Sequence, residues 1–348
     1  MPAPIYIDGS LGEGGGQILR TSLALAALLG MPVEIDKIRA NRRQPGLKTQ
    51  HLAGVLALTD ITDAEIKGAR KNSTSLVFKP RTIEGGKYRF EISTAGAACL
   101  LFSAILPPLL FATQPSKITV TGGTHVPFSP PFHYLARVFL PALRKMGAEV
   151  ELELVRWGFY PKGGGEIRAH VKPCRQLESL QHLRRGSLKE LKLSAYRANL
   201  PDHIVQREIG HVGESLAEYN EYLSSHPVSC HALSPGNFVF LEAEYEHVKA
   251  GFSGLGKRGK PAEEVAGEVC QAFIDFDKTM ATMDSHLADQ LILYIALARG
   301  DSCFTTERVT SHVTTNIDII RRFLPVSIEL DGATGKALAT GVGLTSSQ

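Results

Sequence analysis

Several features are scarce in this sequence, and each absence removes a class of protein. The 348 residues include five cysteines, which are scattered and form no Cys-x-x-Cys pair. This spacing argues against a zinc site and against a disulfide framework, and it fits a reducing compartment. No apolar run approaches the roughly 20 residues needed to span a bilayer, and no apolar segment follows a basic start at the N-terminus. These absences predict a cytoplasmic protein with no membrane partner.

A strong excess of charge is also missing. Lys and Arg number 38 against 35 Asp and Glu, so the formal net charge is +3, and 43% of the residues are hydrophobic. Such values are ordinary for a globular protein, so any contact with nucleic acid has to come from a local basic patch. The aromatic and basic pattern of sheets that bind single-stranded RNA is not present either. Composition alone therefore identifies no partner.

The most informative stretch of the chain is rich in glycine and lies between a strand pattern and an apolar helix pattern. Residues 8–20 read DGSLGEGGGQILR and hold four glycines within positions 12–16. A glycine turn that leads into a helix presents free N–H groups and suits an anion such as phosphate. Glu13 adds a candidate metal ligand or base, and Arg20 adds a cation for phosphate. A tight turn without a ligand is the alternative that this stretch leaves open.

The same order of strand and helix signals occurs three times along the chain. An apolar first helix is followed each time by a strand, an amphipathic second helix and further strand signals. The second helices begin near Leu47, Phe132 and Val313, at spacings of about 85 and about 180 residues, which indicates an insertion before the third copy. The sequence therefore predicts an α/β fold of three β-α-β-α-β-β repeats with a small inserted α/β domain. The predicted limits are 1–185 and 282–340 for the large domain, 186–281 for the insertion and 341–348 for a tail.

Inside the predicted insertion, two segments alternate between apolar and polar residues and are predicted to be strands. They cover residues 188–196 and 237–244. Two further segments have helical periodicity, at residues 203–223 and 261–276. The insertion is thus expected to have secondary structure of its own.

A basic turn precedes the first of the amphipathic helices. Residues 39–48 read RANRRQPGLK and contain four cations and no acid. The Pro-Gly pair forces a turn just before the helix, so Arg39, Arg42 and Arg43 are predicted to face one anion. Arginine suits phosphate because its planar fork binds two oxygens at once. A solvated cationic loop is the alternative.

One histidine stands at the predicted start of the third amphipathic helix. His312 occupies the position that Leu47 takes in the first repeat and Pro131 takes in the second. The positive end of the helix dipole disfavours imidazolium, so the ring is predicted to be neutral near pH 7 and competent to attack a phosphorus centre. A capping or packed side chain is the alternative, because most histidines at helix starts have no catalytic role.

Together these motifs resemble those of the RNA 3′-terminal phosphate cyclase family. The resemblance extends to about residue 330 and rests on GEGGGQILR at 12–20, PGL at 45–47, QHL at 50–52, GGT at 122–124, YPKGGG at 160–165, LADQ at 287–290 and HVTTN at 312–316. It implies a fold of three repeats that is related to the enolpyruvate transferases, with a small inserted domain. This agrees with the repeats found from periodicity.

The resemblance implies a reaction in three steps that consumes ATP. A histidine attacks the α-phosphorus of ATP and becomes linked to AMP, and the AMP then passes to the 3′-phosphate of an RNA end. The neighbouring 2′-hydroxyl finally expels AMP and closes a 2′,3′-cyclic phosphate. The implied nucleophile is His312, and a divalent metal, Mg or Mn, is implied near Glu13. The implied partner is RNA with a 3′-phosphate end, bound by a monomer or a homodimer.

The resemblance also assigns binding residues, position by position. Those on the ATP or AMP side are Glu13, Arg20, Ser103, Pro131, His286, Leu287, Ala288, Asp289 and Gln290. Those around the RNA phosphate are Arg39, Arg42, Gln50 and His51. His286 stands where the family often has a tyrosine over the adenine, and Ser103 stands where it often has a glutamine. Weaker stacking and fewer hydrogen-bond donors are expected there.

Two other functions stay open at this point, because a fold does not fix a function. One is an enolpyruvate transferase of the same fold, in which His312 has no covalent role. The other is a non-catalytic ribosome-assembly factor of the cyclase-like branch, which lacks the nucleophile. His125 and His133, close to the predicted nucleotide pocket in sequence, are predicted to be structural.

Overall fold

The computed structural model describes residues 3–346, and its first repeat has the predicted order of elements. These are β1 (Ile5–Asp8), α1 (Gly16–Leu29), β2 (Val33–Asp36), α2 (Thr49–Thr62), β3 (Glu65–Lys67) and β4 (Leu76–Lys79). β1 lies parallel to β2, while β4 runs antiparallel to β2 and β3, so the sheet order is β1-β2-β4-β3. Alternate strand residues such as Ile7 and Ile35 are buried, and they form the face that packs on the helices.

The second repeat has the same sheet order, which is β5-β6-β8-β7. Its elements are β5 (Lys87–Glu91), α3 (Ala98–Leu110), β6 (Ser116–Gly122), α4 (Phe132–Tyr134), a π-helical segment (Leu135–Phe139), α5 (Leu140–Lys145), β7 (Glu149–Arg156) and β8 (Gly165–Lys172). The second helix of this repeat is thus continuous but irregular. Pro141 has no N–H to donate to the preceding turn, and this explains the change of hydrogen-bond pattern just before it.

The inserted segment forms a sheet of its own, with the order β10-β9-β11-β12. Its elements are β9 (Leu188–Ala198), α6 (Asp202–Ser215), a 3-10 turn (Ala217–Tyr219), β10 (Leu223–Ser229), β11 (Gly236–Tyr245), β12 (Lys249–Leu255) and α7 (Ala262–Asp277). The predicted helix 203–223 was too long, because it ends at Ser215 and β10 follows. β10 and β12 were not predicted. β10 pairs only with β9 and is mostly exposed, so it has little apolar alternation to detect.

The third repeat differs from the prediction, since within residues 3–346 it lacks the opening strand. Its elements are α8 (Ser285–Leu297), β13 (Arg299–Thr305), α9 (Ser311–Phe323), β14 (Ser327–Leu330) and β15 (Lys336–Val342), with the sheet order β13-β15-β14. A single parallel bridge between Met283 and Thr306 stands where the other repeats have a paired strand. Asp284 already caps α8, so too few residues are left for a strand.

The helices of the three repeats share one hydrophobic core, and the inserted sheet has a second core with α6 and α7. α1 packs against α2, α3 and α9, so it joins all three repeats. The predicted α/β class is confirmed. The limits of the large domain and of the insertion stay predictions. Among residues 3–346, no helix has both the length and the apolar character that crossing a membrane requires.

The part of the chain that was predicted to be a tail, residues 341–348, is hydrogen-bonded to the core over most of its length. β15 continues to Val342, past the predicted start of the tail at residue 341, because it pairs with β13 along its whole length. Beyond it, the N–H groups of Gly343 and Leu344 donate to carbonyl oxygens at the end of α8. The predicted tail is therefore hydrogen-bonded up to residue 346, and residues 347–348 lie outside the described part of the chain.

Candidate active site

The glycine turn between β1 and α1 brings the first and third repeats into direct contact. Gly12 has a φ of +50°, and a Cβ atom there would lie 2.1 Å from the Thr315 Oγ1 atom on α9. A Cβ atom at Gly16 would lie 2.5 Å from His51 Nε2. Position 12 therefore requires glycine, and a side chain at position 16 would displace His51. No side chain in the described part of the chain caps the start of α1, which leaves its first N–H groups to other acceptors.

His312 lies in the first turn of α9 and reaches across to the glycine turn. Thr310 caps this helix, since its Oγ1 atom accepts a hydrogen bond from the N–H of Val313. The His312 Nδ1 atom lies 2.5 Å from Gln17 Oε1 and 3.2 Å from Glu13 Oε1. A carboxylate only accepts hydrogen bonds, so Nδ1 carries the proton, and the lone pair of the neutral ring is on Nε2. The side chain is 47% exposed, which leaves Nε2 accessible.

The helix position was expected to lower the pKa of His312, but its pKa is raised. The hydrogen bond to Glu13 raises the pKa of His312, and this outweighs the burial that would lower it. The charges of Glu13 and Asp289 add to the increase. A carboxylate in direct contact stabilises imidazolium more than the helix dipole, which is worth about 0.3–1 kcal/mol, disfavours it. The ring therefore becomes neutral at a higher pH than predicted.

Glu13 is held between two cations. Its Oε1 atom faces His312, and its Oε2 atom lies 2.7 Å from Arg42 Nη2. Burial alone would raise the pKa of Glu13, but His312, Arg42 and Arg20 lower it below its ordinary value. Glu13 is thus a carboxylate at neutral pH. Arg42 is paired with Glu13, whereas the resemblance implied that it binds an RNA phosphate.

A divalent metal was expected at Glu13. Within residues 3–346, no three His, Cys, Asp or Glu side chains come together as a metal site built by the protein alone. Mg²⁺ typically binds one or two carboxylates together with phosphate oxygens and water. The single carboxylate of Glu13 beside a glycine turn fits a metal that a bound phosphate chain would share.

Arg20 and His51 both lie next to Gly16, at the end of the glycine turn. The Arg20 Nη1 atom lies 3.1 Å from the position of a Cβ atom on Gly16, and burial lowers the pKa of Arg20 to about 10. Only the charge of Glu13 offsets this loss of hydration. A half-buried guanidinium without a hydrogen-bonded acceptor is costly, so this geometry favours a bound anion.

His51 is neutral for reasons that its position explains. Its Nδ1 atom accepts a hydrogen bond of 3.2 Å from the N–H of Lys48, so the proton is on Nε2, the atom next to Gly16. Burial and the charges of Arg20, Arg39 and Lys48 lower its pKa to about 3. His51 therefore presents an N–H donor to the glycine turn at every physiological pH.

The arginines of the basic turn were predicted to face one anion, but in the structure they have different partners. The Arg39 Nη1 atom donates to the carbonyl oxygens of Gln44 and Gly46, at 2.9 Å each, and so stabilises the turn itself. Arg42 is bound to Glu13, and Arg43 is exposed. The loop has little other structure to satisfy its carbonyl groups, and this explains the use of Arg39.

Gln50 connects the first repeat to the second. Its Oε1 atom accepts a hydrogen bond of 3.1 Å from the N–H of Ala97, just before α3. The amide group therefore has its nitrogen left for a ligand. Gln50 and His51 are neighbours on α2, so the two predicted phosphate contacts do lie side by side.

The predicted nucleotide motif forms the first turns of α8. The ring of His286 is exposed, and the Asp289 carboxylate accepts a hydrogen bond of 2.5 Å from Thr310 Oγ1, the cap of the His312 helix. Gln290 Nε2 donates to the carbonyl of His286. Leu287 and Ala288 do not present side chains to a ligand, because both are buried in the core. Their N–H groups are bound to Asp284 as well.

Pro131 and Ser103 complete the predicted nucleotide residues. Pro131 precedes α4, whose Tyr134 ring lies edge-on to His286, with 6.2 Å between the ring centroids. This places Pro131 within one helical turn of a residue that touches the nucleotide motif. Ser103 donates to the carbonyl of Cys99 within α3, and no described contact joins it to His312 or Glu13.

Comparison with known proteins identifies the family of this chain. The model of the RNA 3′-terminal phosphate cyclase family matches residues 11–330. The chain belongs to this family. The RNA 3′-terminal phosphate cyclases of Methylococcus capsulatus and Pyrobaculum neutrophilum are 45% and 43% identical to it, and the matches cover 92% and 94% of this chain and 91% and 95% of theirs. That of Pyrococcus abyssi is 42% identical, with coverages of 95% and 96%.

Among solved structures, this chain is similar to the enolpyruvyl transferase NikO from Streptomyces tendae. The match covers 97% of this chain and 48% of the NikO chain. The TM-score is 0.43 and the identity is 11%. A likeness this low supports no conclusion about fold or function.

Four residues of this candidate site were not predicted. Gln17 binds His312, Thr310 caps the His312 helix and binds Asp289, and Asp284 and Tyr134 hold the start of α8. Thr310 and Asp284 stand directly before helix patterns, so the preference of N-caps for Thr and Asp could have revealed them. No local signal reveals the contact of Tyr134, because its partner lies 150 residues away.

Proposed function

We propose that this protein converts the 3′-terminal phosphate of RNA to a 2′,3′-cyclic phosphate, consuming ATP through an adenylate bound to His312. One observation carries the proposal: the Nδ1 atom of His312 is held by Gln17 and Glu13 beside the glycine turn, with Nε2 free. The three relatives described above bear the name of this activity, which supports the cyclase part.

In the first step, the Nε2 lone pair of His312 forms a bond to the α-phosphorus of ATP, and the bond to the bridging oxygen breaks to release pyrophosphate. Positive charge develops on the ring as this bond forms, and the contact between Nδ1–H and Glu13 stabilises it. Arg20 and the uncapped N–H groups of α1 face the negative phosphate oxygens. A metal shared by Glu13 and the phosphates would neutralise further negative charge.

In the second step, an oxygen of the RNA 3′-phosphate bonds to the adenylate phosphorus, and the P–N bond to His312 breaks. The RNA end then carries AMP as a leaving group. In the third step, the adjacent 2′-hydroxyl oxygen bonds to the terminal RNA phosphorus and gives up its proton to solvent, and the bond to AMP breaks. Because the attacking hydroxyl belongs to the same ribose, holding the end in place makes ring closure intramolecular. Gln50 and His51 provide N–H donors for that phosphate.

The test is to incubate the protein with ATP labelled at the α-phosphate and a divalent metal. A label that is labile in acid and stable in alkali is expected on the wild type, as for a phosphoramidate. His312→Ala should abolish it. His203→Ala is the matched control, because His203 is also an exposed histidine in the first turn of an amphipathic helix, α6, and should keep the label.

A second assay adds RNA that ends in a 3′-phosphate. Conversion of the end to a form resistant to phosphatase is expected, together with release of AMP. A wild-type protein that takes up no label would contradict the proposal and favour the enolpyruvate transferase or the assembly factor. Label without cyclisation would retain the adenylate and reject the RNA substrate.

A further inference from the structure

The start of helix α8 is held by two acidic groups that the predicted motif does not include, the buried Asp284 and the partly exposed Glu307. Asp284 Oδ1 accepts hydrogen bonds from the N–H groups of His286 and Leu287, at 3.1 and 3.0 Å. Glu307 Oε1 accepts from the N–H of Ser285 at 3.1 Å. The first N–H groups of α8 are therefore used within the protein, in contrast to those of α1. This helix offers a ligand its side chains rather than its N-terminus.

Tyr134 joins this cap from the second repeat. Its hydroxyl donates to Asp284 Oδ1 at 2.5 Å, and both side chains are only 2% exposed. The tyrosine ring meets the His286 ring at an angle of 88°. The hydroxyl therefore fixes the backbone of His286 through Asp284, while the ring supports the imidazole directly. His286 is left with an exposed surface, on a backbone that Asp284 holds in place.

The inserted sheet reaches the same carboxylate. The N–H of Gly251, on β12, lies 3.4 Å from Asp284 Oδ2. A Cβ atom at Gly251 would lie 2.8 Å from a methyl group of Val138, so glycine allows this approach. Asp284 thus connects the second repeat, the insertion and the third repeat at one point.

We propose that Tyr134 and Asp284 are positioning residues that hold His286 as a platform for the purine ring of ATP. The inference rests on the proposed function and extends it to two residues outside the nucleotide motif. A flat, exposed imidazole on a backbone that is already fixed can stack on an aromatic base. Because this freedom is lost before ATP binds, binding loses less conformational entropy. Neither residue touches the phosphate chain, which lies with Arg20 and Glu13.

The experiment compares ATP with inorganic tripolyphosphate, which has the phosphate chain but no base. Tyr134→Phe keeps the ring and removes only the hydroxyl. We expect it to weaken ATP binding about fivefold to tenfold, as for loss of a typical hydrogen bond, with tripolyphosphate binding unchanged. The KM for ATP should rise by the same factor, while the rate of label formation at saturating ATP stays the same.

The matched control is Tyr294→Phe, which removes the hydroxyl of another buried tyrosine from α8 itself. It should change neither affinity. Asp284→Asn is the second variant, since asparagine also caps helices and keeps the fold. Asparagine still accepts from the Tyr134 hydroxyl but lacks the charge, so its effect and that of Tyr134→Phe should not add, because both weaken the same hydrogen bond.

Two results would overturn the inference. Equal weakening of ATP and tripolyphosphate would show that Tyr134 only stabilises the fold, and unchanged ATP binding in both variants would show that the contact has no role. The outcome is separate from that of the proposed function. Wild-type labelling with unaffected variants rejects the positioning role alone, whereas an unlabelled wild type whose ATP affinity depends on Tyr134 rejects the adenylate alone.

Discussion

His312 and the pair formed by His125 and His133 are all hydrogen-bonded, but only His312 combines exposure with a carboxylate partner. His312 is exposed, contacts the Glu13 carboxylate and has a raised pKa. His125 and His133 are 1% and 6% exposed and bind each other at 2.8 Å. Burial lowers the pKa of both, that of His133 to about 3. A neutral ring is therefore not what distinguishes a catalytic histidine here.

The difference lies in what surrounds each ring. His125 stacks on Trp157 with 4.3 Å between the centroids, and His133 lies 4.7 Å from the ring of Tyr196, a residue of the inserted sheet. We call His125, His133, Trp157, Tyr196 and Phe238 the aromatic cluster. It joins the second repeat to the insertion and leaves no room for a substrate. Exposure together with a carboxylate partner makes His312 the candidate nucleophile. Hydrogen bonding alone does not separate it from the other histidines.

After the loss of His312 itself, the largest effect on label formation is expected from removing the cation Arg20. Arg20→Met should reduce label formation at least 100-fold, because it removes the guanidinium that faces the phosphate oxygens. Arg137→Met is the control, since Arg137 borders the aromatic cluster, where its Nη2 atom donates to the Tyr196 hydroxyl. It should keep the rate within about threefold. Equal losses of label formation in both variants would show that the candidate site and the aromatic cluster do not differ in their contribution to the chemistry.

The aromatic cluster should respond in stability rather than in chemistry. His133→Ala leaves a cavity and an unpaired nitrogen on His125, so we expect a loss of about 3 kcal/mol in the free energy of unfolding, measured with urea. The label should still form at saturating ATP. His226→Ala, which truncates an exposed histidine on β10, should leave stability unchanged within about 0.5 kcal/mol. Lost labelling in folded His133→Ala would assign this pair to the site.

The contact of Glu13 with His312 predicts a shift in the pH profile. The label should form faster as the pH rises through the raised pKa of His312, since only the neutral ring attacks. Glu13→Gln removes the charge that stabilises imidazolium, so this limb should move to lower pH, whatever the maximal rate. Rates of label formation between pH 5 and 9 measure it. A limb that stays in place would mean that Glu13 does not set this pKa.

The smallest effect is expected from Gln17. Gln17→Ala removes one neutral hydrogen bond to His312 Nδ1, worth about 1 kcal/mol, so label formation should fall about fivefold. Gln271→Ala, on the exposed face of α7, is the matched control and should have no effect. A loss as large as that of Arg20→Met would show that Gln17 binds the substrate directly.

Much of this architecture could be predicted from local patterns. The apolar first helices and the amphipathic second helices have a clear period, and the glycine turn is marked by its composition. The position of His312 followed from comparing the three repeats. Edge strand β10 was missed because LSSHPVS has no alternation, and the shortened third repeat was missed because a bridge replaces its strand.

The electrostatics of the site could not be predicted in the same way. The pKa of His312 depends on Glu13, which is remote in sequence, and a helix dipole was the only influence that the local sequence offered. The basic turn likewise suggested three free arginines, while the fold gives Arg39 to backbone carbonyls and Arg42 to Glu13. Side chains near one another in sequence often serve different partners in space.

The contact between Gln17 and His312 spans 295 positions of the chain, and Gly12 and Thr315 meet beside it with no space to spare. The phosphate cradle and its nucleophile are therefore made at opposite ends of synthesis. Under the proposed mechanism, a ribosome that has produced only the first two repeats and the insertion has made a protein without the group that accepts adenylate. The proposed activity would then begin only when the last repeat docks on the first, and an incomplete chain would not consume ATP by this chemistry.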